Sequence, residues 1–127
     1  MEIKLNGYNI APIFDMSLLD ESIFDISTNC FKPEIINYYS KEPLKLGDEN
    51  FIATITLVNN KVTWIELKFP GTCISYNHYR KFLLDFLGTP SETGGIADVT
   101  YCYDWGKVIG INDIRTPDAY IEIQYKK

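Results

Sequence analysis

A single histidine, His78, and three cysteines, Cys30, Cys73 and Cys102, are all that this 127-residue chain offers in soft metal ligands, and no two cysteines stand in a CxxC pair. That scarcity excludes zinc-ligand spacing and a disulfide framework as organising devices. Odd in number and widely spaced, the cysteines are expected to be buried free thiols in a reducing compartment. No apolar run approaches the roughly 20 residues of a membrane-spanning helix. The opening MEIKLNGYNI lacks a charged stretch leading into an apolar one, so no secretory signal is read there. The expectation is a cytoplasmic protein with no membrane partner. Basic residues are few and scattered, without an aromatic RNA-binding pattern, which argues against nucleic acid. A short glycine-containing loop, Thr93-Gly94-Gly95, follows a helical stretch and leads toward a strand, the reverse of a phosphate cradle.

What is present is a chain of single-domain length, 46% hydrophobic and 14% aromatic, with nine Tyr and seven Phe. Rings in that number suit half-buried sheet faces. The net charge of −5 is uneven. Residues 1–50 hold nine acids against four lysines, whereas residues 51–127 balance at eight and eight. Asp15, Asp20, Glu21 and Asp25 form a stretch with no base among them. An acidic face favours a cationic partner; the plainer reading is a solvated surface.

The clearest element is Phe51–Phe69, FIATITLVNNKVTWIELKF, two alternating runs around Asn59-Asn60. A two-residue turn would set Phe51 opposite Lys68. A three-residue loop, Asn59-Asn60-Lys61, sets Phe51, Ala53 and Ile55 opposite Phe69, Leu67 and Ile65, making one face apolar. The second register is expected, with Val62, Trp64, Glu66 and Lys68 on the other face. Asn6-Gly7 predicts an opening hairpin of 2–5 with 8–11, pairing Leu5 with Tyr8 and Ile3 with Ile10. Residues 15–27 show a helical stripe of Leu18, Leu19, Ser22, Ile23 and Ile26, with Ser17 as cap, and predict a short helix. Residues 33–39 read equally as a helical turn or a strand, and 41–50 as a surface loop.

Ser75 caps the best helix, Tyr76–Leu87, whose stripe is Tyr79, Phe82, Leu83, Phe86 and Leu87, with Lys81 and Asp85 paired outside and Gly88 and Pro90 as the stop. Thr89–Ala97 reads as a loop. Residues 98–125 form a meander turning at Asp104-Trp105-Gly106, with Val99, Tyr101 and Tyr103 opposite Ile111, Ile109 and Lys107. A loop at Asp113–Pro117 precedes a strand whose Ala119, Ile121, Ile123 and Tyr125 share a face. The predicted class is α+β: an antiparallel β-sheet of hairpins and a C-terminal meander, with helices packed on one face.

Candidate chemistry is sparse. Cys73 and His78 could make a thiolate–imidazole pair near a helix N-terminus, but no residue is seen to orient the imidazole. The acids of 15–25 do not follow an EF-hand pattern. No catalytic residue, cofactor or metal site is predicted. Trp64, on the more polar face of the central hairpin, and Trp105, at a hairpin tip, are instead read as contact residues for a cationic protein, together with Asp15, Asp20, Glu21 and Asp25. The plainer readings are that residues 15–40 cover Trp64 and that Trp105 folds back on its own strand. A competing expectation is a small-molecule or enzymatic pocket between helix and sheet, lined by Tyr76, Tyr79, Tyr101 and Tyr103. A third is homodimerisation through Ala119–Tyr125 as an edge strand.

Leu87-Gly88-Thr89-Pro90-Ser91 at a helix end, then Tyr103-Asp104-Trp105-Gly106, then the alternating strand Ala119–Tyr125, resemble small immunity proteins of bacterial polymorphic toxin systems, including contact-dependent growth inhibition. The resemblance covers about a third of the chain. It implies a compact, acidic, cofactor-free α+β protein, monomer or homodimer, that covers the active site of a cationic toxin domain such as a nuclease.

Overall fold

The computed structural model describes residues 2–70, 75–94, 97–113 and 118–126. Its strands are β1 (Ile3–Leu5), β2 (Tyr8–Ala11), β3 (Phe24–Thr28), β4 (Ile35–Ser40), β5 (Leu44–Leu46), β6 (Glu49–Val58), β7 (Lys61–Lys68), β8 (Glu92–Thr93), β9 (Val99–Tyr103), β10 (Gly106–Asp113) and β11 (Asp118–Tyr125), with α1 (Tyr76–Leu87) between β7 and β8. The strands pair in the order β2-β1-β5-β6-β7-β11-β10-β9-β8, and β4, carrying β3, also joins β6. All of these pairings are antiparallel. The α+β class holds as an antiparallel sheet with one α-helix among the described residues, and no second α-helix is found among them to join it on the sheet face.

The central hairpin joins both alternatives weighed above. Asn59 and Asn60 sit at φ 52° and 65°, a two-residue turn in the left-handed region that Asn tolerates. A bulge between the Val62 and Trp64 pairings then takes up Thr63, so Ala53 faces Leu67 and Ile55 faces Ile65. The bulge also corrects one assignment: Val62 opposes Leu57 and packs against the core. The opening hairpin has its Asn6-Gly7 turn, at φ 54° and 85°, with Leu5 opposite Tyr8. A register shift there gives Ile3 the partner Ala11 rather than Ile10.

Residues 15–27 are corrected from helix to a 3-10 turn, Met16–Leu18, followed by β3. The cap is Asp15, whose carboxylate accepts from the Ser17 N–H at 2.9 Å, not Ser17. The stripe misleads because Leu18 buries and Leu19 and Ile23 pack partly against the core without a helix, whereas Ile26 is exposed on β3. Pairing along β4 outweighs five residues of helix propensity. Of residues 33–39, Pro33 and Glu34 form a turn and 35–39 are strand, and the expected loops at 41–50 and 89–97 contain β5, with Leu44 and Leu46 buried, and β8.

β6 is the junction. Its residues 49–51 pair with β5, and 54–58 pair with β4 along the same edge. Ala53, in the gap, donates its N–H to Ser40 Oγ at 2.9 Å. β1, β2 and β5 close over the core from there, and the Tyr125 hydroxyl donates to the Ile10 carbonyl.

The helix has the predicted bounds and caps. Ser75 Oγ accepts from the His78 N–H at 3.1 Å, and Gly88 ends it at φ 84°. Tyr79 and Leu83 are buried, with Phe82, Phe86 and Leu87 partly so. Phe82 packs on the Phe51 and Phe69 rings, and all five share one core with Ile55, Leu67, Val99, Val108 and Ile121, each such buried side chain contributing roughly 1.5–3 kcal/mol. The β9–β10 register is corrected: Gly106 pairs with Tyr103, so Tyr101 faces Val108 and Val99 faces Gly110. The cause is close packing. A Cβ on Gly110 would collide with the Tyr79 hydroxyl and stand 2.7 Å from Leu83 Cδ1 and 2.8 Å from Val99 Cγ2. The bulkier Ile109 and Ile111 turn outward instead. β11 is corrected from edge to interior strand, paired with both β7 and β10. The expected loop at Asp113–Pro117 lies largely outside the described residues.

Candidate protein-binding face

Residues directly opposite in antiparallel strands share a face. One face of the sheet carries the core and α1. On the other, every described side chain keeps solvent exposure, Trp64, Glu66, Ile109, Ile111, Tyr120 and Glu122 included. The register lays a row across it: Asp25, Tyr39, Thr54, Glu66, Glu122 and Ile109, from β3 through to β10. A neighbouring row runs Ser27, Asn37, Thr56, Trp64, Gln124, Lys107 and Cys102. Asn37 Oδ1 accepts from Thr56 Oγ1 at 2.7 Å and ties two strands beside the indole.

The electrostatic peculiarity of this face is Glu66 opposite Glu122. Like charges so placed destabilise a sheet. Partial burial, then the Glu122 charge, push the Glu66 carboxyl above the usual range, with Lys68 opposing them. Gln124 Nε2 donates to Glu122 Oε2 at 3.1 Å. Half-buried carboxylates beside a half-exposed indole can receive a basic side chain of a partner, which would relieve the repulsion.

The sequence-derived set is divided by the fold. Trp64 and Asp25 lie on the open face, separated by three strand spacings of about 4.8 Å each. Asp25 is 4.0 Å from Lys41 Nζ. Asp15, Asp20 and Glu21 belong to the segment whose Leu18 enters the core, on the other side of the sheet. The first two have local tasks: Ser17 side-chain and backbone donors hold Asp15, and Ser22 donors hold Asp20, below the usual carboxylate range. Trp105 stacks on Tyr103 at 5.2 Å and 5°, and leans on Tyr125 at 5.7 Å. Its ring is therefore folded back on its own hairpin, apart from Trp64. Residues 15–40 do not cover Trp64; they extend the sheet through β3 and β4.

Cys30 and Cys102 are exposed, which corrects the expectation of burial. Cys30 falls in a loop and Cys102 alternates outward on β9. Cys73 and Gly95 lie outside the described residues. His78 does have an orienting group, contrary to the sequence reading: Glu49 Oε1 is 2.5 Å from its Nε2. The tyrosine-lined pocket is filled. Tyr79 and Tyr101 are buried, and Tyr101 donates to the Gly88 carbonyl at 2.9 Å. Open space lies instead beside the helix, in a groove of about 400 Å³ between α1 and the β5–β6 turn. Among the described residues no group of three or more metal-ligating side chains converges, and no helix is long and apolar enough to cross a membrane.

Sequence reasoning passed over Glu66 and Glu122, which belong to the half of the chain with no net charge. The signal for Glu66 was its alternation with Trp64; Glu122 needed the β7–β11 pairing. Comparison with protein-family models, with curated proteins and with solved structures finds no match.

Proposed function

We propose that this chain is a cytoplasmic immunity protein that neutralises a cationic toxin domain by docking the open sheet face against it. The observation that supports this most is the Glu66–Glu122 pair beside Trp64 on an uncovered face. Two carboxylates that face each other across neighbouring strands form a seat for a lysine or arginine of the partner, and the adjacent indole supplies an anchor that slows dissociation. The chain's net charge of −5 speeds encounter with a basic partner. The resemblance of the C-terminal third to immunity proteins names the kind of partner. No chemistry by the chain itself is invoked.

The test is co-expression with the protein encoded immediately upstream. A stable complex and protection from toxicity are expected, both lost when Glu66→Lys and Trp64→Ala are combined. Failure to form any complex removes the reading, and a complex indifferent to both substitutions removes the open face from it.

A further inference from the structure

The groove beside α1 is lined by no residue of the open face, and its chemistry differs. Its floor is Phe82 and Phe86, rings stacked at 5.4 Å and 12°. The β5–β6 turn sits directly on this floor: a Cβ on Gly47, at φ 61°, would be 3.2 Å from the Phe86 ring. Two carboxylates of the walls each have a partner: Glu49 Oε1 lies 2.5 Å from His78 Nε2, and Lys81 Nζ donates to Asp85 Oδ2 at 2.5 Å. Asp48 is the exception, with no hydrogen-bond or ion-pair partner among the described residues although it lines the same space.

We infer that this groove binds an arginine side chain presented by a partner segment. An entering group meets two phenyl rings and one uncommitted carboxylate. A guanidinium stacks on aromatic faces and forks onto a carboxylate, and it does both while still shedding little hydration. A lysine ammonium, compact and strongly hydrated, matches the rings less well, and a carboxylate ligand would be repelled by Asp48. The inference does not rest on the toxin-binding reading, since the two surfaces share no residue.

Titration of the ¹⁵N-labelled protein with N-acetyl-arginine amide, and separately with N-acetyl-lysine amide, tests it. Saturable shifts are expected at the amides of Gly47, Asp48, Phe82 and Phe86, several-fold tighter for arginine than for lysine. Asp48→Asn, at an exposed turn, should abolish them with the melting temperature unchanged, and Phe86→Leu should weaken them. Absence of saturation at these amides, equal response to lysine, shifts confined to the Trp64 region, or full binding by Asp48→Asn would each overturn the assignment.

Discussion

Glu66 on β7 stands directly opposite Glu122 on β11, on the uncovered side of the sheet. Partial burial and the facing carboxylate raise the Glu66 pKa above its ordinary 4.5. The folded chain then holds that proton more tightly than the unfolded chain does. This contribution to stability is complete below the ordinary value and is lost as pH climbs through the raised one. Glu66→Gln removes the repulsion and should gain about 0.5 kcal/mol at neutral pH, the scale of one cross-strand pair. Urea unfolding between pH 4 and 8 checks this. The variant's advantage must widen as pH rises; a constant gap would mean the two carboxylates do not repel.

Trp64 and Ile65 are neighbours with opposite assignments. Ile65 is fully buried, so Ile65→Ala should cost about 2–5 kcal/mol. Trp64→Ala should cost about 1 kcal/mol or less of stability, its ring lying on a half-exposed sheet surface, yet should weaken the proposed toxin complex at least about tenfold, as an interface anchor does. Denaturation and complex affinity measured on both variants separate the two roles. If Trp64→Ala unfolds as readily as Ile65→Ala, the indole is a packing residue.

Gly110 and Tyr79 form a coupled pair. The phenol is fully buried, its hydroxyl makes no well-formed hydrogen bond among the described residues, and burial, then the nearby Asp98 carboxylate, pushes its pKa far up. Tyr79→Phe removes an unpaired polar group and should gain about 1 kcal/mol. Gly110→Ala overpacks the same spot and should cost about 1–3 kcal/mol. In the double variant part of that cost should disappear, because the colliding hydroxyl is gone. Additive effects in the cycle would show that the clash is relieved elsewhere.

The fold was legible where periodicity and caps agreed. Ser75 and Gly88 bracketed α1 to the residue, and the apolar faces of Phe51–Phe69 fixed their cross-strand partners. It was illegible where one extra residue changed the register. Thr63 let a two-residue turn give the register assigned to a three-residue loop, and the slip at Gly106 exchanged Val108 for Ile109 on the core face. Residues 15–27 misled because a helical stripe over a short segment is weaker than a ladder with β4, which sequence does not display. Linear charge pointed to residues 15–25. The carboxylates that meet across the open face, Glu66 and Glu122, are 56 positions apart and are joined only by strand pairing.

The left-handed turn gives a further check. Asn60 holds φ 65°, a conformation that glycine adopts without cost. Asn60→Gly should leave the β6–β7 register intact and change stability by no more than about 0.5 kcal/mol, whereas Asn60→Val should cost about 1–2 kcal/mol. Thermal melts with amide assignments of Thr56, Thr63 and Trp64 report both quantities. A loss on Asn60→Gly as large as that on Asn60→Val would assign the residue a side-chain task.

Because β5 and β4 take successive stretches of one edge of β6, the chain leaves that strand at Ser40 and rejoins it at Leu44. β6 is thus a splice between the amino-terminal flap and the broad sheet, and no other described strand pairs with both. Deuterium uptake should therefore be slowest along Phe51–Leu57. Loosening those amides would release the two halves together rather than in turn.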